Sequence, residues 1–307
     1  MSSSANPDEI GPIAALVAAE ALPPAYADTV TRLWAPLGAH LAGLHKARAR
    51  PLLIGINGAQ GTGKTTACRF LEHLLRGQGL GVATLSLDDV YLTRADRAHL
   101  AATVHPLLAT RGPPGSHDLP LAEATIAQLL TGTGATAIPR FDKALDDRAP
   151  ASDWPVVTAP LDILLFEGWC IGAMPQDQAA LAAPINALEA AEDADGRWRR
   201  HVNTALATTY ARLFAGLDQL IVLQAPDFTA VRNWRELQEQ KLIAARGTGM
   251  DAAALTRFLQ HYERLTRHML ADLGPRADIV IPIDHQHNAG AILFKDRAGI
   301  VQIESGG

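Results

Sequence analysis

The chain predicts a doubly wound α/β fold with a mostly parallel sheet, and three observations carry the prediction. Short apolar runs rich in β-formers alternate with longer segments of helical periodicity between residues 52 and 283, the order from which parallel sheets covered by helices are built. The first such run, Leu52 to Ile56, passes through a glycine-rich turn straight into a helix. With 307 residues and 48% hydrophobic content, the chain can bury a sizeable core, as one α/β domain with decorations or as a domain plus a small subdomain.

The elements follow in order. Residues 1 to 48 read as an N-terminal helical extension, Ala- and Leu-rich from residue 11, with Trp34 and Leu37 packing it against the main body, which spans 49 to 307. Strand 52–56 precedes a helix over 64–77 that lines up Ala67, Phe70, Leu71, Leu74 and Leu75 on one face. A strand over 82–87, a helix over 120–131, a short strand near 135–138 and a strand over 161–166 come next. The segment 175–196 is Ala-rich, acidic and interrupted by Pro, and reads as an irregular excursion. A helix over 197–216, a strand over 219–224, helices over 228–245 and 251–272 and a strand over 278–283 complete the set. Ligands of such sheets sit at the carboxyl ends of the strands, which directs attention to the residues just after 56, 87, 166 and 224.

The first of these ends carries the strongest motif. Gly58 to Thr65 reads GAQGTGKT and fits G-x-x-x-x-G-K-[ST], in which backbone N–H groups cradle phosphates, the lysine reaches the β- and γ-phosphates and the hydroxyl takes a Mg²⁺ position. Gly55, Gly58, Gly61 and Gly63 free the backbone to approach a bulky group. The expected cradle is Gly58, Ala59, Gln60, Gly61, Thr62, Gly63, Lys64, Thr65 and Thr66, and the expected ligand is a nucleoside triphosphate.

Two further strand ends supply acids. The run 161–166 leads into Glu167, which is expected to hold Mg²⁺ together with Thr65. Asp162 lies five residues earlier, roughly 16 Å away at strand rise, and so belongs at the opposite end of the sheet. The second strand ends in Asp88-Asp89. Phosphorylating an alcohol requires its proton to leave, and a carboxylate within hydrogen-bond reach serves as base; one of these two acids can take that role. If the pleat continues, Asp88 and Asp89 point to opposite faces.

Between these strands lie Arg111-Gly-Pro-Pro-Gly-Ser-His117-Asp118 and Ile-Pro-Arg140-Phe-Asp142-Lys143, followed by Arg148. Such Gly- and Pro-rich turns place polar groups on surface loops of a rigid scaffold. Asp89, His117, Asp118, Arg140, Asp142, Lys143 and Arg148 are therefore the acceptor-binding candidates, with Arg140 the leading choice for an acidic group because a guanidinium fork suits a carboxylate. The amphipathic helix 228–245 carries Arg232, Arg235, Glu239 and Lys241. It reads as a lid, in a region of about 228–272, with Arg235 closing over the phosphates. His285 and His287 in DHQH lack a third metal ligand and read as an exposed loop.

Composition excludes several classes. A net charge of −5 argues against broad nucleic-acid or anionic-membrane binding. No apolar run approaches the roughly 20 residues of a membrane span, and the N-terminus lacks a signal-peptide pattern. A cytoplasmic protein is expected. Cys68 and Cys170 offer neither a disulfide framework nor metal-ligand spacing. A GTPase switch would carry Asn-Lys-x-Asp, which is absent.

Taken together, GINGAQGTGKTT, SLDDVYLT, GPPGSHDL, PRFDKALDDRAP, LLFEGWCIG and NWRELQEQKL resemble the plant-type D-glycerate 3-kinase family, within the larger phosphoribulokinase, uridine kinase and pantothenate kinase group of P-loop kinases. The resemblance runs from about residue 50 to about residue 285. It implies a five-stranded parallel sheet of P-loop NTPase type with the Glu167 strand beside the P-loop strand, Asp88 as base, and transfer of the γ-phosphate of ATP to glycerate. ATP and Mg²⁺ are the implied cofactors, with Lys64, Asp88 and Arg235 as catalytic residues. The run Ala144-Leu-Asp-Asp-Arg148 departs from the serine and glycine-rich turn expected after the Asp-Lys pair. A related kinase for another sugar acid, a nucleoside or a pantothenate-like alcohol is the alternative within enzymes, and a nucleotide-driven switch or chaperone the alternative outside them.

Overall fold

In the computed structural model, residues 7–247, 249–296 and 299–302 are described. The strands, numbered in chain order, are β1 (Leu52–Gly58), β2 (Val82–Ser86), β3 (Gly134–Ala137), β4 (Phe141–Asp142), β5 (Asp147–Arg148), β6 (Val156–Ala159), β7 (Ile163–Gly168), β8 (Gln219–Gln224), β9 (Ile279–Pro282), β10 (Leu293–Asp296) and β11 (Gly299–Gln302). Seven of them form one sheet in the order β11-β10-β9-β8-β1-β7-β2. The five from β9 to β2 are parallel, with the Glu167 strand beside the P-loop strand, and β10 and β11 extend the edge antiparallel.

Both faces of this sheet are covered, which is why its strands are apolar throughout. All seven residues of β1 are buried. Alternation then divides each strand between two cores: Ile163 and Leu165 of β7 pack with the P-loop helix and the N-terminal helices, whereas Leu164 and Phe166 pack with helices Leu119–Thr131 and Ala252–Arg276. Trp34 and Leu37 lie in the first core beside Phe70 and Leu71 of helix Lys64–Gly77. The same parity puts Glu167 on the P-loop helix face. Asp162 sits at the other end of the sheet, where its Oδ2 accepts from Gly81 N at 2.7 Å.

Three local differences from the sequence reading have physical causes. The second strand stops at Ser86 because its side chain accepts from Asp88 N at 3.3 Å and starts a 3-10 turn, Leu87–Val90, so Asp88 and Asp89 stand on a helical turn and not on a pleat. The short strand near 135–138 pairs antiparallel with β6, outside the main sheet. The excursion 175–196 contains a 3-10 turn, Gln178–Leu181, and a short α-helix, Ala187–Glu192, capped by Asn186, whose Oδ1 accepts from Glu189 N. Helix Arg94–Thr103, capped by Thr93, and the β4–β5 hairpin are further elements that no periodicity in the sequence announces.

Candidate active site

The P-loop leaves β1 at Gly58 and enters its helix through Gly63, whose φ of 86° only glycine adopts easily. Gly61 shares that conformation, and a Cβ there would lie 2.9 Å from Trp234 Cβ. Helix Phe228–Arg246 therefore runs directly over the loop. On the far side, Thr65 Oγ1 donates to Glu167 Oε1 at 3.1 Å. Glu167 is buried, and its Oε2 has no partner among the described residues. A buried, unpartnered carboxylate oxygen beside a P-loop hydroxyl is a donor set suited to a hard divalent cation.

Asp88 is the neighbouring acid. Its Oδ1 accepts from Tyr91 OH at 2.7 Å and its Oδ2 from Lys143 Nζ at 2.7 Å. Burial pushes this carboxyl upward, but the charges of Lys143 and Lys64 and the two hydrogen bonds outweigh it and hold the group well below the ordinary carboxylate range. Asp89 behaves in the opposite way. Its oxygens accept from Arg140 Nη1 and Phe141 N, both at 3.2 Å. Burial dominates, opposed by Arg140 and the Phe141 N–H and reinforced by Asp88, and the carboxyl is pushed up to about 6.

The acceptor loops are fixed by aromatic side chains. Tyr210 OH accepts from Gly115 N at 2.9 Å and shares a hydrogen bond with His117 Nδ1 at 2.6 Å, which leaves Nε2 as the other polar atom of the ring. Burial drives the His117 pKa down to about 3, against the pull of Asp88. That Nε2 has no partner among the described residues. Tyr91 stacks on the His117 ring at 4.6 Å. Trp169 Nε1 donates to Gly112 O at 3.1 Å, and Tyr262 OH donates to Arg111 O at 3.1 Å. Gly112, at φ 127°, leaves room for Tyr262, whose hydroxyl would lie 2.0 Å from a Cβ.

The structure brings Lys64, Thr65, Glu167, Asp88, Lys143 and His117 to one end of the sheet. Other candidates are engaged locally. Asp118 caps helix Leu119–Thr131 through Leu121 N and accepts from Arg148 Nη2 at 2.7 Å. Asp142 holds the hairpin turn by accepting from Ala144 N and Leu145 N. Arg140 bonds Asp89 and its own Pro139 O. Arg235 lies 2.6 Å from Glu239 Oε2 and over the Phe258 ring, on the helix that covers Gly61. His285 and His287 are exposed, with the His287 ring 4.8 Å from that of Trp234. Elsewhere His105, Asp193 and Asp195 cluster, but His105 Nδ1 accepts from Leu107 N, which keeps the proton on the nitrogen facing Asp193, and Asp193 is occupied by Arg199. Sequence reasoning passed over Tyr91, Tyr210, Tyr262, Trp169 and Arg111. Of these, Arg111 stands just before the Gly-Pro-Pro-Gly turn, and Tyr91 and Trp169 lie within the segments SLDDVYLT and LLFEGWCIG, whereas Tyr210 and Tyr262 carried no signal.

A phosphate-cradling loop, a buried acid beside its threonine and an ionised aspartate at the adjacent strand end define a P-loop kinase with an alcohol acceptor. Known proteins agree. The chain is 31% identical over 231 residues to an uncharacterized kinase, mug58, of Schizosaccharomyces pombe, covering 71% of this chain and 80% of that one. It is 32% identical over 258 residues to the chloroplastic D-glycerate 3-kinase of Arabidopsis thaliana, covering 79% of this chain and 54% of that protein. Among solved structures, D-glycerate 3-kinase from Cryptococcus neoformans superposes with a TM-score of 0.71 at 26% identity, covering 84% of this chain and 96% of that one. No family model matches. The chain belongs to the D-glycerate 3-kinase family of P-loop kinases. No helix among the described residues is long and apolar enough to cross a membrane.

Proposed function

We propose that this kinase transfers the γ-phosphoryl group of ATP to a hydroxyl of D-glycerate, giving 3-phosphoglycerate. The observation that carries the reading is the Asp88 carboxylate, held ionised between Tyr91 and Lys143 at the strand end next to the P-loop. A slow switch has no use for such a base, and relatives named D-glycerate 3-kinase supply the acceptor.

In this reading the P-loop amides from Gly58 to Thr66 and Lys64 hold the β- and γ-phosphates. Thr65 and Glu167 hold Mg²⁺, which when bound neutralises phosphate charge. Lys143 is the more exposed partner of its pair, with 60% of its side chain open against 31% for Asp88. It is therefore the one free to turn from Asp88 toward the transferred phosphate, which bares Oδ2 for the hydroxyl proton. Arg235, on the helix that covers Gly61, leaves Glu239 to reach over the phosphates. Asp89 keeps the Arg140–Phe141 segment against the site, and His117, Asp118, Asp142 and Arg148 shape the acceptor loops.

The test is the ratio of kcat/KM among acceptors. D-Glycerate should exceed uridine and pantothenate by at least about 10²-fold, because a misplaced hydroxyl forfeits the proximity advantage. Comparable turnover of uridine or pantothenate would reject the assignment.

A further inference from the structure

We propose that Arg111 takes the carboxylate of the acceptor. The proposal rests on the reading of that acceptor as a small hydroxy acid, and it starts from charge pairing. Around the acceptor loops, Lys143 has Asp88 at 2.7 Å, Arg140 has Asp89 at 3.2 Å, Arg148 has Asp118 at 2.7 Å and Arg235 has Glu239 at 2.6 Å. Each of these cations has a carboxylate of its own. Arg111 does not. It shares Asp146 with Arg97, whose Nη2 lies 3.0 Å from Asp146 Oδ2 while Arg111 Nη1 binds Oδ1.

Arg97 has no freedom to leave. It is 1% exposed and also donates to Leu92 O, Ala109 O and Asp146 O. Among the described residues the two guanidinium groups have only Asp146 as a carboxylate in direct contact, and the further acid that acts on Arg97, Asp147, is shared with Arg148, so Arg111 has no carboxylate to itself in a half-buried place, where a bound anion gains most. The Arg111 side chain is 28% exposed, so a small ligand can reach it. Only its Nη1 has a side-chain partner among the described residues, and the Nε–Nη2 edge has the fork geometry that receives a carboxylate.

The position fits the chemistry. The Arg111 guanidinium lies 5.5 Å from the centre of the Phe141 ring, Phe141 meets Tyr91 edge-on at 5.3 Å, and Tyr91 OH donates to Asp88. Lys143 and Tyr262 each feel both Asp88 and Arg111, with opposite signs. The base and the Arg111 guanidinium thus flank the same groups. Arg111 is also anchored at its backbone, where its carbonyl accepts from Tyr262 OH.

The experiment compares kcat/KM for D-glycerate and glycerol in the wild type, Arg111→Ala and Arg111→Gln, with the KM for ATP recorded alongside. Arg111→Gln keeps a hydrogen bond to Asp146 within reach and covers the case in which the alanine variant fails to fold. Each variant should lose about 10²-fold on glycerate with little change on glycerol or in the KM for ATP. Arg111→Lys should recover part of the loss, because it restores charge without the fork. Arg140→Ala should lower both acceptors alike. If the wild type favours a different hydroxy acid, the functional reading falls and Arg111 is judged on that acid. If the wild type favours a neutral alcohol, or the variants keep the acid-to-neutral ratio within about threefold of wild type, Arg111 is not the acid's partner.

Discussion

Replacing Asp88 by Asn removes the base and little else. In the resting protein, Oδ1 accepts from Tyr91 OH and Oδ2 from Lys143 Nζ, each at 2.7 Å. An amide retains the Tyr91 bond through its oxygen but can neither take a proton nor hold Lys143 by charge. A positioned general base contributes about 10²- to 10⁴-fold, about 3–5 kcal/mol of barrier at roughly 1.4 kcal/mol per decade. Turnover should therefore fall by at least about 10²-fold, measured as ADP release at saturating D-glycerate. ATP affinity, measured by calorimetry, should stay within about threefold, because Lys64, Thr65 and Glu167 are untouched. The pH dependence sharpens the test. The Asp88 carboxyl is held well below the ordinary carboxylate range, so it is ionised across the neutral region and the loss should be equal at about pH 6.5 and about pH 8. A kcat within about tenfold of wild type, or a matching loss of ATP affinity, would refute the assignment.

Glu167→Gln should raise the Mg²⁺ concentration needed for half-maximal rate, since it alters the unpartnered oxygen beside Thr65; an unchanged Mg²⁺ titration would remove Glu167 from the site. Arg235→Ala should lower kcat more than ATP binding, because an arginine over the phosphates meets the most charge in the transition state; equal losses would point to binding alone. Asp89, raised to about 6, prefers its proton in the folded state. Its contribution to stability is fully present below the unfolded pKa and is lost as pH rises through about 6, by on the order of 1–3 kcal/mol. Asp89→Asn should remove that component, so the wild type should gain on the variant between about pH 7.5 and about pH 5 in thermal melts; parallel melting curves would contradict the shift.

The parts of the site that could be read from the chain are those in which neighbours in sequence are neighbours in space. The P-loop is one continuous strand, turn and helix, and Glu167 follows from the strand that bears it, so residue types at fixed spacing suffice. Asp88 and Asp89 were placed at the right strand end, but the turn that separates them depends on one side chain, Ser86, bonding Asp88 N. The aromatic frame was out of reach. Tyr210 meets His117 across 93 residues, and Tyr262 meets Arg111 across 151, and no periodicity encodes such pairs. The antiparallel strands β10 and β11 are four residues each and carry no clear alternation, so the sheet reads as five strands where it has seven. Arg140 drew attention by chemistry, whereas the sharing of Asp146 by Arg111 emerges only when partners are assigned.

The central claim is that phosphate passes from ATP to an acid's hydroxyl at this site. Phosphorus NMR of the protein with ATP, Mg²⁺ and D-glycerate tests it most directly. A growing 3-phosphoglycerate resonance that matches the ADP formed, absent in Lys64→Ala, is the result the account predicts. Accumulation of inorganic phosphate alone, at a rate indifferent to glycerate, would contradict it.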